Sequence, residues 1–379
     1  MNTLYTINRG ISMIDPTIEE LIEKHEKLRG NSINLVASEN YVSEKVKDAL
    51  SSDLVGRYHS DYYGGTEPAR EILDKTEDLA ERLFHVKHAL IKLISGNLCD
   101  LNVLFSYTEP GDQIAMMDYT NGGYPLGLEK FNRRRISLPV KEGTFEIDVD
   151  EAEEVYRDND VKLTILGSSY IPFPHPVEKI SKIAERYSDD HVCVFDGSHV
   201  LGLIATGVFQ DPLREGAEVL IGSTHKSFYG PQGGMILTDS DDHVDKLRKY
   251  IEIDLETGIG LIDNPHVNRI AALGIAIEEM LKDEKYGERV VENGKELAEN
   301  LDQLGVPMKF ADKGYTESHQ IFLDMDEQRA MKFCKNLEKE GIFIDITGRI
   351  GVAEVTHRGL DFEDMCQIAE KISEVYKKI

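Results

Sequence analysis

The chain predicts an α/β protein: a mostly parallel sheet covered by helices, followed by a smaller α+β region. Three observations carry this. Between about residues 70 and 260, short apolar runs alternate with helical stretches: Ala89-Leu90-Ile91, Gln113 to Met117, Leu163 to Leu166, Val192 to Phe195, Val219-Leu220-Ile221 and Met235-Ile236-Leu237. These runs are continuously apolar, as suits strands covered on both faces. Beyond about 265 the order changes to a long helix, a strand, a helix, two short strands and a last helix.

Taken in order, an N-terminal helix is expected near Asp15-Pro16-Thr17, with Pro16 at its first position and Ile18, Leu21, Ile22 and Leu28 on one face. The alternating strands and helices then follow. A long helix is expected near 265–304, a strand around Gln320 to Leu323, and a helix over 326–340 closed by Gly341. Strands at Ile342-Phe343-Ile344 and Arg349 to Val352 precede a final helix with Met365, Ile368, Ile372, Val375 and Ile379 on its packing face. The expected division is an arm and helix over 1–45, a large domain over 46–265 and a small C-terminal domain over 266–379.

At 379 residues there is ample chain for a large core, and 41% hydrophobic with 30% charged residues is ordinary for a soluble protein. The net charge of −26 argues against nucleic acid or an anionic membrane as partner. Arg133-Arg134-Arg135 is a short exception, read as a solvated turn or strand edge. No apolar run is long enough to span a bilayer, and Met1 to Thr6 lacks the basic-then-apolar form of a secretory signal. Cys99, Cys193, Cys334 and Cys366 are scattered without metal-ligand spacing, so reduced thiols in a cytoplasmic protein are expected, and no metal.

Two strand ends carry the chemistry. The run Val192 to Phe195 ends at Asp196, and Val219-Leu220-Ile221 leads through Gly222, Ser223, Thr224 and His225 to Lys226. Ligands of open α/β sheets gather at such carboxyl ends. A lysine amine and a carboxylate placed there suit pyridoxal phosphate (PLP): the amine forms a Schiff base, and the carboxylate keeps the ring nitrogen protonated. A Lys-His pair is otherwise a common surface feature. Ser95-Gly96-Asn97, between an apolar run and a helix, has the form of a phosphate cradle or of an ordinary helix cap. Ser223, Thr224 and His225 offer further donors. Arg349 reads either as a surface charge or as a clamp for an amino acid's carboxylate. His199 reads as a cofactor neighbour or a satisfied core histidine. Ser38, Tyr58 and the Tyr62-Tyr63 pair stay open on composition alone.

Together these segments spell a family. Leu35 to Ser43, Tyr62-Tyr63-Gly64-Gly65, Glu109 to Asp112, Asn121-Gly122-Gly123, Asp196-Gly197-Ser198-His199, Thr224-His225-Lys226 with Gly230 to Gly234, and Thr347-Gly348-Arg349 with Thr356 to Gly359 occur in one order. From about residue 15 to its end the chain resembles the serine hydroxymethyltransferases. The resemblance implies PLP fold type I, with a mostly parallel seven-stranded sheet in the large domain. It implies Lys226 as the Schiff-base lysine, Asp196 as the ring-nitrogen partner, and Ser95, Gly96, Asn97, Ser223 and His225 around the phosphate region. Ser169 would approach the ring's phenolic oxygen, with Tyr124 and His199 beside the ring. Arg349 would bind the substrate carboxylate, with Ser38 and Tyr63 near it. Tyr58, Tyr63 and Gly258 would reach the site from a second subunit of a homodimer.

The chain departs from the family pattern at several places. Tyr58-His59-Ser60-Asp61-Tyr62-Tyr63 is about three residues shorter than the usual step, and Ser60 stands at the position of a glutamate used in the folate-linked reaction. His59 and Asp61 are the candidate substitutes as general acid or base. Tyr124 replaces a stacking histidine, and Gln232 an arginine. The implied activity is Cα–Cβ cleavage and formation on β-hydroxy amino acids. Serine–glycine exchange with tetrahydrofolate or another reduced pterin is the family default, and the folate-independent threonine aldolase or transaldolase is its rival. Aminotransfer, β-elimination or PLP binding without efficient catalysis are the further alternatives on this scaffold.

Overall fold

The computed structural model describes residues 15–254 and 256–378. Its strands are β1 (Ile33–Asn34), β2 (His88–Leu90), β3 (Gln113–Met116), β4 (Arg134–Ser137), β5 (Val161–Leu166), β6 (Val192–Asp196), β7 (Val219–Ser223), β8 (Gly234–Thr238), β9 (Gln320–Phe322), β10 (Ile342–Phe343) and β11 (Arg349–Gly351). Seven of them form one sheet in the order β2-β8-β7-β6-β5-β3-β4. All neighbours from β7 to β4 pair in parallel, while β8 runs antiparallel to both β7 and β2.

The continuous apolar runs have a simple cause. Successive strand residues point to opposite faces, and both faces are covered. On β6, Val192 and Val194 enter one core, while Cys193 and Phe195 enter the other. On β7, Val219 and Ile221 separate from Leu220 in the same way. Every residue of β6, β7 and β8 is buried.

Two small sheets complete the C-terminal part: β9 pairs antiparallel with β11, and β1 pairs parallel with β10. The helix Glu327–Lys339 is capped by Asp326 and followed by Gly341 at φ 72°, the left-handed position that favours glycine. Met365, Ile368, Ile372 and Val375 are buried on the last helix, Phe362–Tyr376; Ile379 lies outside the described residues.

Three expectations need correction. Pro16 precedes the cap and does not open the helix: Thr17 caps Ile18–Gly30, accepting from the Glu20 amide at 3.1 Å while Glu20 accepts from the Thr17 amide at 2.7 Å. The stripe Ile18, Leu21, Ile22 and Leu28 is exposed in the single chain. The helix expected at 265–304 is two, Val267–Met280 and Tyr286–Gln303. The break is a polar turn in which Asp283 receives both arms of Arg289, and it lets Tyr286 bury its ring edge-on to Tyr229. Of the arginine run, Arg134 and Arg135 lie on the edge strand β4, but Arg133 is buried and donates to the Thr108 hydroxyl and carbonyl. The reading of Met1 to Thr6 falls outside the described residues. Among the described residues, no helix is long and apolar enough to cross a membrane, and all four cysteines are free thiols.

Candidate active site

The site forms at the carboxyl ends of β6 and β7, where the sheet delivers Asp196 and, three residues past β7, Lys226. The lysine loop is held from several sides. Asn40 donates to the Lys226 carbonyl at 2.6 Å, Tyr286 donates its hydroxyl to the Ser227 carbonyl at 2.8 Å, and the Thr224 hydroxyl donates to the Pro231 carbonyl at 2.6 Å. Lys226 is half-buried as a residue, and protein surrounds its amine. Burial lowers its pKa, and the Arg349 cation adds to this while Asp196 opposes it. A larger share of free amine at neutral pH makes it a better nucleophile toward an aldehyde.

Asp196 is buried, and its carboxylate accepts from the Ser198 amide at 2.9 Å. Close approach between β5 and β6 is set by Gly167, whose φ is 87° and where a Cβ would lie 2.0 Å from the Asp196 carbonyl oxygen.

Ser95 caps the helix Gly96–Tyr107, its hydroxyl accepting from the Leu98 amide at 3.2 Å. At Gly96 a Cβ would meet the Ser223 hydroxyl at 2.2 Å and the Ser198 hydroxyl at 3.2 Å. The Ser198 hydroxyl in turn accepts from the Ser223 amide at 3.0 Å. A capped helix N-terminus, a glycine and two hydroxyls therefore crowd one spot, a donor set suited to a phosphate. Asn97 is exposed at the rim and accepts from the Tyr124 hydroxyl at 3.2 Å. Burial and the acids Asp100 and Asp196 push the Tyr124 phenol up to about 12.

His199 and His225 complete this wall. His199 is 4% exposed, and its ring lies nearly parallel to that of His319, with centroids 5.9 Å apart. Burial holds the His199 imidazole well below its ordinary pKa, with Lys226 and Arg349 adding to the effect. Burial, with Lys226 beside it, pushes His225 down to about 4. Both rings are neutral at pH 7, and among the described residues their buried Nδ1 atoms have no hydrogen-bond partner. Unpaired buried imidazoles facing a lysine are places where a bound group would supply the missing partner.

Arg349 begins β11 and is buried, not a surface charge. Its Nε donates to Asp345 at 2.6 Å, an Nη donates to the Ser169 carbonyl, and the guanidinium lies 4.9 Å from the centre of the Tyr170 ring. The strand is pressed against the segment carrying Ser38: the Gly351 amide donates to the Leu35 carbonyl at 2.8 Å. The neighbouring Ala37 carbonyl takes the His319 Nε2 at 3.0 Å.

The structure thus gathers Lys226, Asp196, His199, His225, Ser95, Gly96, Ser223, Tyr124, Ser169 and Arg349 in one neighbourhood. Asn97 lies at its rim through Tyr124, but Tyr58, His59, Tyr63 and Gly258 are not brought there within the single chain. Tyr58, His59 and Tyr63 line a separate cavity of about 530 Å³ with Arg70, Lys92 and Glu252. Tyr58 and Tyr63 are exposed and pack on each other at 5.1 Å. His59 has its Nδ1 buried and unpartnered among the described residues; burial lowers its pKa, and Lys92 adds to this. Asp61, the other candidate acid, is paired with Arg70. Gly258 closes a turn with Asp254 at φ 93°. Two residues with no role in the sequence reading lie at the site: His319, which stacks on His199, and Asp100, a buried acid in the field of Asp196 and Lys226. The signal for Asp100 was a lone charge in the apolar run Leu98 to Leu104.

Comparison with known proteins agrees with this geometry. The family model for serine hydroxymethyltransferase matches residues 11–372. The chain is 36% identical to serine hydroxymethyltransferase of Methanothermobacter thermautotrophicus, over 94% of this chain and 89% of the relative. It is 35% identical to that of Pyrococcus abyssi, over 93% and 88%. Among solved structures it is similar to L-threonine transaldolase from Pseudomonas fluorescens in its internal aldimine state, with TM-score 0.85 and 28% identity over 95% of this chain and 86% of the other. A buried lysine and acid at paired strand ends, and a match over nearly the whole chain, give one conclusion: this chain belongs to the serine hydroxymethyltransferase family of PLP-dependent, fold-type I enzymes.

Proposed function

We propose that the enzyme cleaves and forms the Cα–Cβ bond of β-hydroxy amino acids, with serine–glycine interconversion as its reaction. The observation that carries this is the buried amine of Lys226 with the buried guanidinium of Arg349 close enough to act on it. Arg349 keeps donors free for a carboxylate and fixes the amino acid by its common end. Lys226 tethers the cofactor, and Asp196 holds a proton at the ring nitrogen. PLP supplies, when bound, the electron sink for the pair of electrons left on Cα. His199 and His225, neutral at pH 7, pack beside the ring without adding charge, and Ser95, Gly96 and Ser223 hold the phosphate.

The working unit in this reading is a homodimer that shares its sites, in the cytoplasm. Exposed Tyr58 and Tyr63, and the exposed apolar face of Ile18–Gly30, support it. From the second subunit, Tyr58 and Tyr63 would line the substrate, His59 would serve as acid or base, and Gly258 would approach the phosphate.

A second reading is folate-independent aldol transfer. It is favoured by Ser60 at the glutamate position, and by the likeness to a threonine transaldolase. One experiment separates the two. Purified holoenzyme is given serine with and without tetrahydrofolate, then threonine and phenylserine without it. Serine cleavage that requires tetrahydrofolate supports the first reading. Aldehyde release from threonine or phenylserine with no pterin effect replaces it with the second, and α-keto acid release overturns both.

A further inference from the structure

His319 has no task in the account so far, yet it is fully buried and touches three parts of the site. It immediately precedes β9, and its backbone is fixed on both sides. Its carbonyl accepts from the Val352 amide at 3.0 Å, and the next amide, Gln320, donates to the Ser318 hydroxyl at 3.1 Å. The ring Nε2 lies 3.0 Å from the Ala37 carbonyl oxygen. A carbonyl can only accept, so Nε2 carries the ring proton. The ring plane is 11° from that of His199 with centroids 5.9 Å apart, an offset aromatic pair. His199 in turn follows Asp196 by three residues.

Ala37 sits in the middle of a strap, residues 35–41, that joins the strand of Arg349 to the lysine loop. At one end the Leu35 carbonyl accepts from the Gly351 amide at 2.8 Å, two residues along β11 from Arg349. The approach is close: a Cβ on Gly351 would lie 2.4 Å from the Ala37 Cα. At the other end Asn40 donates to the Lys226 carbonyl at 2.6 Å. Residues 35–41 belong to no helix or strand, so the strap keeps its path through bonds to other segments. At its centre that bond is the one from His319. Ala37 is 1% exposed, and among the described residues no other donor reaches its carbonyl. Ser38 is the next residue.

We propose that His319 is a positioning residue for the amino acid substrate: its Nε2–H fastens the middle of the strap and so fixes Ser38 relative to Arg349 and the Lys226 loop. This deepens the proposed function and rests on a substrate carboxylate at Arg349. Without the donor, the Ala37 carbonyl would be left buried and unpaired. The strap would then shift to find water, and the substrate pose would loosen with it.

The test sets His319→Phe, which keeps an aromatic ring without a donor, against His319→Gln, whose side-chain amide restores one. Hydrogen exchange of the apoprotein, read by mass spectrometry on the peptide spanning 35–41, needs neither cofactor nor activity. Exchange there is expected to quicken about 10-fold in His319→Phe and to return to within about threefold of wild type in His319→Gln. With PLP bound, KM for the amino acid cleaved, serine or threonine, is expected to rise about 10-fold in His319→Phe with kcat within about threefold. His319→Gln should recover most of that loss. A purely structural role would lower the melting temperature of both variants and leave KM of the folded enzyme unmoved. His319→Leu serves if the phenylalanine variant does not fold. Unchanged exchange over 35–41, an unmoved KM, or equal losses in the donor-free and glutamine variants overturn the inference. Wild-type protein that does not bind PLP overturns the reading of the site itself, while the exchange comparison still decides whether His319 holds the strap.

Discussion

Arg349→Ala tests how the enzyme holds its substrate. A guanidinium has five N–H donors. At Arg349 the Nε donor is spent on Asp345 at 2.6 Å and one Nη donor on the Ser169 carbonyl, which leaves further donors for a carboxylate. The residue is 7% exposed, so a carboxylate reaching it is desolvated, and losing one member of such a pair costs about 2–5 kcal/mol. Taking about 3 kcal/mol, kcat/KM for serine should fall on the order of 100-fold. The carboxylate is present before and after bond cleavage, so most of the loss should fall on KM. Arg349→Lys keeps one charge but cannot reach Asp345, Ser169 and a carboxylate together, and should lose about 10-fold. The assay is steady-state cleavage of serine or threonine by protein whose visible cofactor absorbance matches wild type. Cofactor-loaded Arg349→Ala within threefold of wild-type kcat/KM would refute the assignment of this guanidinium.

Gly96→Ala should weaken PLP binding by about 10-fold or more in reconstitution of the apoprotein, because the new methyl meets the Ser223 hydroxyl where a phosphate would sit; unchanged affinity would remove Gly96 from the cradle. Acid should destabilise the apoprotein. Burial puts His175 down to about 4 against 6.5 unfolded, so the unfolded state binds more protons below pH 6.5. The stability due to neutral His175 is complete above pH 6.5 and is lost as pH falls toward 4, up to about 3 kcal/mol from this ring. His191, at about 4 through burial, acts in the same direction. Melting temperatures measured from pH 7.5 to 5 should therefore fall with pH, and a flat profile would count against these buried neutral rings. Finally, Lys226→Ala and Tyr63→Ala subunits, each inactive alone, should regain about a quarter of wild-type activity when refolded together, since half the dimers then carry one intact site of two. No regain would mean that Tyr63 and Lys226 do not serve one site from different subunits.

Much of this was legible in the sequence because its physical causes are local. The central strands show as unbroken apolar runs since alternate residues of β6 and β7 fill two different cores. Asp196 and Lys226 show because each follows such a run. Edge strand β4 did not, because Arg134 to Ser137 bury no residue and carry no apolar signal. The break between the helices Val267–Met280 and Tyr286–Gln303 was hidden for another reason: the turn has no glycine or proline, and the burial of Tyr286 is a tertiary event. The burial of Arg349 and Asp100 stayed hidden for the same cause. One charged residue near a strand or helix reads alike on the surface and in a cleft, and only the fold turns both inward.

The central claim is most directly tested by finding which amine holds the cofactor. Protein purified with PLP is reduced with borohydride, digested, and searched by mass spectrometry for the pyridoxyl adduct. The adduct is predicted on the peptide containing Lys226 and should be absent from Lys226→Ala. Its appearance on another lysine, or its persistence in that variant, would contradict the account.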